Sequence, residues 1–240
     1  MVDSNRIALV TGANKGIGLE IARQLAQAGV HVLIGARDEG RARGAVDDLA
    51  SQGLTARSVQ IDLDDKKTIG DAAATIAAEH GRLDLLVNNA GIFDAAGGPP
   101  GTASLDAVRR VMDTNFLGTL AVTQAMLPLL REAPAGRIVN VSSSLGSLTL
   151  NGDPTSTYYS SQFIGYNASK AALNMLTVQL NEELRGTPVT VNSVSPGFVK
   201  TDLTGYGTLT PEEGARILVQ YALGGEKSGQ FIEASGETRW

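Results

Sequence analysis

The sequence has no cysteine and only two histidines, His31 and His80, among its 240 residues. The absence of cysteine excludes disulfide bonds and thiol catalysis, and it suits a protein of the reducing cytoplasm. Two histidines are too few to indicate a metal centre, so we expect each to be structural or exposed and no metal to be bound.

Long hydrophobic runs and clusters of one charge are missing as well. The first twelve residues hold no apolar core long enough for a signal peptide, and no run of 18 apolar residues occurs. The net charge of −5 is spread along the chain and forms no basic stripe. We therefore expect a cytoplasmic protein that binds neither a membrane nor nucleic acid.

What the chain does contain is an alternation of short apolar segments with longer amphipathic ones. This alternation predicts parallel strands joined by crossover helices, with helices covering both faces of the sheet. No linker or break in composition divides the chain, so we expect one α/β domain over residues 1–240. Ligands of such sheets bind beyond the carboxyl ends of the strands. The predicted strands cover residues 6–10, 31–36, 55–61, 83–89, 137–143, 188–196 and 229–232.

The segment TGANKGIG, residues 11–18, follows the first predicted strand and precedes a helix. Glycines at 12, 16 and 18 permit a tight turn and let a pyrophosphate approach the backbone N–H groups of the helix N-terminus. A plain turn also uses glycine. The strand before the turn and the helix after it favour nucleotide binding.

Charged residues near the second strand bear on the choice of dinucleotide. Arg37 follows that strand, and Lys15 lies within the glycine turn. Together they favour the 2′-phosphate of NADP over NAD, and the alternative for each residue alone is a solvated surface charge. Asp38 argues for NAD, because a carboxylate at this place can bind the ribose 2′-OH. We expect Asp38 to begin the next helix instead.

Small or polar residues follow the other strands too. Asp62, after the third strand, is suited either to an adenine amino group or to capping the next helix, and both interpretations stay open. Asn88–Gly91, Ser142–Ser144 and residues 196–201 follow the later strands. The agreement among these strand ends indicates one ligand site along a single edge of the sheet.

Tyr166 and Lys170 are four positions apart in a helical segment, so they share one helix face. The pair is either an accidental surface contact or a catalytic one. In the second interpretation the ammonium group lowers the pKa of the phenol, which then exchanges a proton near neutral pH.

In this order, these motifs resemble the short-chain dehydrogenase/reductase family. The matching elements are TGANKGIG, NNAG at 88–91, Asn115, the serines at 142–144, YNASK at 166–170 and PGFVKTD at 196–202. Within the family the chain looks most like the carbonyl-reductase branch. The resemblance implies a single-domain Rossmann fold: a doubly wound parallel sheet of about seven strands with helices on both faces. It also implies NADPH as cofactor and a small-molecule carbonyl as substrate.

The resemblance carries roles over to four residues. Tyr166 is expected to be the general acid/base, and Lys170 to supply a cation and bind the nicotinamide ribose. Ser143, selected from the three serines by the family's strand-five pattern, is expected to hydrogen-bond the substrate oxygen, and Asn115 to hold a water near Lys170. The expected cofactor-binding residues are Gly12, Asn14, Lys15, Gly16, Ile17, Gly18, Arg37, Asp62, Leu63, Asn89, Ala90, Gly91, Tyr166, Lys170, Pro196, Gly197, Val199 and Thr201.

Two segments depart from the commonest pattern of the family. The gap between Ser143 and Tyr166 is long, and carbonyl reductases carry an insertion here that covers a helix face used by relatives for assembly. This resemblance implies a monomer or homodimer in preference to a tetramer. The aromatic residues of the inserted region 147–165 either line the substrate pocket or pack the insertion: Tyr158, Tyr159 and Phe163. The segment 203–209 is short and suggests an open pocket. An NADP-dependent alcohol dehydrogenase and a non-catalytic dinucleotide sensor are the competing functions.

Overall fold

The computed structural model describes residues 6–225 and 227–240. It alternates strands and helices as the sequence predicts. The strands are β1 (Ile7–Thr11), β2 (His31–Ala36), β3 (Ala56–Gln60), β4 (Leu85–Asn88), β5 (Arg137–Val141), β6 (Thr190–Val194), β7 (Phe231–Glu233) and β8 (Gly236–Glu237). The helices are α1 (Gly16–Gln27), α2 (Glu39–Ser51), α3 (Lys66–His80), α4 (Leu105–Met112), α5 (Thr119–Arg131), α6 (Leu148–Gly152), α7 (Ile164–Glu183) and α8 (Pro211–Leu223).

The described strands form one sheet in the order β3-β2-β1-β4-β5-β6-β7-β8. Strands β1 to β7 pair in parallel, and β8 pairs antiparallel with β7. The doubly wound fold is confirmed, with eight strands in place of about seven. The additional strand β8 has only two residues and follows a turn that ends at Gly236, whose φ is 119°. Such a short hairpin carries no apolar pattern that a sequence can reveal.

Two apolar clusters cover the two faces of the sheet, as predicted. Helices α1, α2 and α8 contribute buried residues such as Ile21, Leu49 and Leu218 to one face. Helices α3, α5 and α7 cover the other face with residues such as Ile76 and Met126. The buried strands thus have apolar side chains on both sides, which explains their continuous apolar runs.

The long helical region between β4 and β5 is interrupted. A π-helical segment, Asp113–Gly118, separates α4 from α5. Segments of this kind widen one turn of a helix and are frequent at functional sites. A capping box begins α8: the Thr210 side chain accepts from the Glu213 backbone N–H, and the Glu213 side chain accepts from the Thr210 backbone N–H.

The sheet places a ligand crevice beside β1. Strand β1 lies between β2 and β4, so successive crossovers run in opposite directions from it. In open parallel sheets, ligands bind at this switch point, outside the carboxyl ends of the strands. The loops that follow β1, β4 and β5 therefore meet at one edge.

Candidate active site

A glycine turn joins β1 to α1 at the switch point. Gly12 and Gly16 have φ of 64° and 57°, a left-handed conformation that favours glycine. A Cβ on Gly18 would lie 2.5 Å from the Gly12 carbonyl oxygen, so only glycine fits there. Asn14 and Ile17, the other predicted residues of this turn, are half-buried. The turn therefore brings backbone close to the crevice, as the motif predicts.

The loop after β4 is fastened to this glycine turn. The Thr11 hydroxyl accepts hydrogen bonds from the backbone N–H groups of Asn89 and Ala90, both at 3.0 Å. The Asn89 amide donates to the carbonyl oxygens of Thr11 at 2.9 Å and Gly12 at 3.2 Å. Asn89 and Ala90 thus shape the turn. Thr11 was missed by the sequence analysis, although its place just before the glycines was a signal.

The two cations predicted to bind a 2′-phosphate lie in different surroundings. The exposed Lys15 ammonium forms an ion pair with Asp202 at 2.7 Å, which joins the glycine turn to the segment after β6. Arg37 is exposed and, within the described residues, has no ion-pair partner. Asp38 caps α2 by accepting from Arg41 N, as expected. Lys15 is the N-cap residue of α1, and in the described chain its side chain accepts no hydrogen bond from the first backbone N–H groups of that helix. The helix dipole therefore leaves a partial positive charge at the N-terminus of α1.

Asp62 and Leu63 lie beside the π-helical segment. Asp65, and not Asp62, is the N-cap of α3, so the capping interpretation of Asp62 is wrong. The Asp62 carboxylate instead accepts from Asp64 N at 3.2 Å, which is a local turn contact. A Cβ on Gly118 would lie 2.6 Å from Leu63 Cβ, so this glycine lets the two segments touch.

Tyr166 and Lys170 lie one turn apart on α7, with the Lys170 ammonium 5.6 Å from the centre of the Tyr166 ring. Lys170 is buried, and its Nζ donates to the Val141 carbonyl oxygen at 2.7 Å. Burial lowers the pKa of Lys170 to about 8. A cation held in this way beside a phenol distinguishes the pair from a surface contact.

The expectation that the Tyr166 pKa lies below its ordinary value is wrong, because burial outweighs the groups that lower it. Burial raises the pKa of Tyr166 to about 12, and a side-chain hydrogen bond with Ser143 opposes that rise. The residue as a whole is half-buried. At neutral pH the phenol is therefore protonated, and it is a proton donor.

The three consecutive serines have three different partners. Ser142 donates to Asn174 at 2.6 Å, within the core. Ser144 donates to the Glu233 carboxylate and lies 3.5 Å from the Ser195 hydroxyl. Ser143 accepts from Leu145 N at 3.2 Å, and its side chain meets Tyr166. The structure thus brings Ser143 to the phenol and directs its two neighbours elsewhere.

Asn115 lies in the π-helical segment and its side chain is fully engaged. Its Oδ1 accepts from Ile92 N at 2.8 Å, and its Nδ2 donates to Ile92 O at 2.9 Å and to Ser169 Oγ at 3.0 Å. A Cβ on Gly91 would lie 3.2 Å from Asn115 Oδ1 and 3.8 Å from Lys170 Nζ. Asn115 therefore ties the loop after β4 to α7 beside Lys170.

The segment after β6 faces the glycine turn from the other side. A Cβ on Gly16 would lie 3.9 Å from the Thr201 methyl group. Gly197 has a φ of 81°, and Pro196 lies next to it. Val199 is buried against α8, so its side chain belongs to the core and not to the crevice surface.

An aromatic cluster connects the inserted region to Tyr166. Phe93 forms edge contacts with Tyr166, with ring centres 5.7 Å apart, and with Phe163, at 5.1 Å. Phe163 of the insertion thus reaches the site through Phe93, whereas Tyr159 is exposed. Phe93 was missed by the sequence analysis, because it lies in a loop and belongs to no motif.

Neither a metal centre nor a membrane span is found in the described chain. Residues 6–225 and 227–240 bring together no group of three His, Cys, Asp or Glu side chains that could hold a metal ion. None of the helices in these ranges combines the length and hydropathy needed to cross a membrane.

Comparison with known proteins gives consistent matches over the whole chain. The sequence profile of short chain dehydrogenases matches residues 6–210. Short-chain dehydrogenase anuI of Penicillium roqueforti is 36% identical over 94% of this chain and 91% of its own. Carbonyl reductase [NADPH] 1 of Mus musculus is 33% identical over all of both chains. The structure of NADPH-bound carbonyl reductase from chicken fatty liver matches with a TM-score of 0.86 and 32% identity, over 98% of this chain and 99% of that one. The chain belongs to the short-chain dehydrogenase/reductase family of oxidoreductases.

Proposed function

We propose that this protein reduces the carbonyl group of a small molecule to an alcohol, with NADPH as the hydride donor. The observation that carries the proposal is the convergence of Tyr166, Ser143 and Lys170 at the ligand edge of the sheet. Relatives named carbonyl reductase [NADPH] match the full chain, which supports the same conclusion. When bound, the dinucleotide supplies the hydride that adds to the carbonyl carbon.

Tyr166 is proposed as the general acid. Its pKa of about 12 keeps the phenol protonated at neutral pH. Reduction of a carbonyl group needs a proton donor, and the protonated phenol can supply that proton. As the proton leaves, the neighbouring Lys170 ammonium stabilises the negative charge that develops on the phenol oxygen.

Ser143 is proposed to hold the carbonyl oxygen. Its hydroxyl already reaches the Tyr166 phenol, so a carbonyl oxygen placed between them would receive two hydrogen bonds. The Asn115 side chain is engaged with Ile92 and Ser169. We therefore propose that the backbone carbonyl of Asn115, and not its side chain, holds a water near Lys170.

Arg37 and Lys15 are proposed to contact the 2′-phosphate of NADPH. Arg37 is the better placed, because Lys15 is paired with Asp202 in the free chain. A variant with both cations replaced by neutral residues should bind NADPH and NADH with similar affinity. A preference for NADPH that survives in this double variant would show that the phosphate is bound elsewhere.

The test of the function is NADPH consumption with a panel of aromatic aldehydes, α-diketones, quinones and cyclic ketones. We expect turnover of several members, faster with NADPH than with NADH. Lack of turnover with the whole panel, in a preparation that still binds NADPH, would contradict general carbonyl reduction.

We also propose that the protein is a monomer or homodimer. The inserted region 147–165 extends from the serines to α7 and includes the short helix α6. Light scattering at micromolar concentration should give the mass of one or two chains, and a tetramer would contradict this proposal.

A further inference from the structure

We propose that Glu233 positions Ser143 to hydrogen-bond the substrate carbonyl oxygen, acting through Ser144. The inference rests on the proposed function, because it concerns the serine that is proposed there to hold this oxygen. Ser143 begins the serine turn, residues 143–149, which leads from β5 into α6. Two different parts of the chain contact this turn.

Helix α7 contacts the serine turn. A Cβ on Gly146 would lie 2.7 Å from the backbone carbon of Lys170, so the turn is in direct contact with the helix at that residue. Asn174, one turn further along α7, donates to the Gly146 carbonyl oxygen at 3.3 Å. The distance from Ser143 to Tyr166 thus depends on how the serine turn packs against α7.

The segment 231–240 contacts the serine turn as well. Its strand β7 runs parallel to β6, so Glu233 lies at the same carboxyl edge of the sheet as the site. The Glu233 carboxylate accepts a hydrogen bond from the buried Ser144 hydroxyl, directly after Ser143. Further along, Ser147 donates to the Arg239 carbonyl oxygen at 2.7 Å.

Glu233 is the strongest of these anchors. Hydrogen bonds to a carboxylate are about twice as strong as those between neutral groups. Without the carboxylate, Ser144 would keep only the longer 3.5 Å contact with Ser195, and its buried hydroxyl would turn or draw in water. Either movement shifts the adjacent Ser143 relative to Tyr166, and displacements of about 1 Å at reacting groups cost up to about 100-fold in rate.

The test compares Glu233→Ala with Glu237→Ala, which removes an exposed carboxylate of β8, and with Glu233→Gln, which keeps an oxygen acceptor. Hydrogen exchange of the Leu145 and Gly146 amides reports on the serine turn directly. We expect faster exchange there in Glu233→Ala, with α7 still protected. We also expect kcat to fall about tenfold, with the NADPH Kd unchanged.

A double-mutant cycle separates positioning from a general structural role. In a Ser143→Ala background, Glu233→Ala should cause little further loss of kcat, because its effect passes through Ser143. Glu233→Gln should restore most of the rate, and Glu237→Ala should behave like the wild type.

Unchanged hydrogen exchange in Glu233→Ala overturns the inference whether or not the protein is active. Additive losses in the cycle, or a fall in kcat matched by a general loss of stability, overturn it as well. Faster exchange in a protein that reduces no carbonyl would support the role of Glu233 in holding the turn, and only the proposed function would fail.

Discussion

Lys170 makes a quantitative prediction about stability, because it is a lysine held in the interior. It is 6% exposed, and burial lowers its pKa from 10.5 to about 8. Replacing it with methionine removes the ammonium group and keeps a long, flexible side chain. The comparison of the two proteins therefore isolates the cost of burying this charge.

The sign and size of the effect follow from the two pKa values. Between pH 8 and pH 10.5 the unfolded chain binds a proton at Lys170 that the folded chain does not, so stability rises with pH. The free energy of unfolding of the wild type, relative to Lys170→Met, should rise by about 2 to 3 kcal/mol between about pH 7 and pH 10. Other titrating groups are common to both proteins and largely cancel.

The assay is urea unfolding of both proteins at intervals over this pH range. Lys67→Met serves as the matched control, because Lys67 is exposed and its hydrogen bond with Asp71 raises its pKa. Stability relative to this control should show no such rise. If the difference between wild type and Lys170→Met stays flat or falls with pH, Lys170 is not desolvated and its place in the site is misjudged.

Four further outcomes are expected. In a pH series, kcat/KM for carbonyl reduction should fall about tenfold per pH unit above pH 8, because Lys170 loses its charge. This ratio reports the pKa values of the enzyme without bound substrate. Asp202→Asn frees Lys15 from its exposed ion pair and should tighten NADPH binding, by about fivefold at most, with NADH unchanged in fluorescence titrations. Gly18→Ala should lower the midpoint of thermal unfolding and weaken NADPH binding, because its Cβ would lie 2.5 Å from a backbone oxygen. Gly44→Ala, where a Cβ meets nothing within 4 Å, should stabilise the fold by about 0.5 to 1 kcal/mol.

The sequence predicted the fold because the strands are buried on both sides. Largely apolar runs such as those at β1 and β2 are typical of strands in a parallel sheet that is covered by helices on both faces. The cap at Asp38 was equally predictable, since its side chain bonds within a few residues of its own position. Hydrogen bonds between residues this close in the chain can be predicted from the sequence.

Contacts between residues far apart in the chain could not be predicted from the sequence. The ion pair of Lys15 with Asp202 and the bond of Ser144 to Glu233 join residues far apart in the chain. The raised pKa of Tyr166 depends on burial, which a four-residue spacing does not report. Phe93 reaches Tyr166 from an irregular loop, and no periodicity marks such a contact.

The central claim is that Tyr166 transfers a proton during carbonyl reduction, and Tyr166→Phe tests it most directly. The variant keeps the ring that contacts Phe93 and loses only the hydroxyl. We predict that kcat falls at least about 100-fold on the best substrate of the panel, with the NADPH Kd unchanged in a fluorescence titration. A variant that keeps most of its turnover would show that another group supplies the proton.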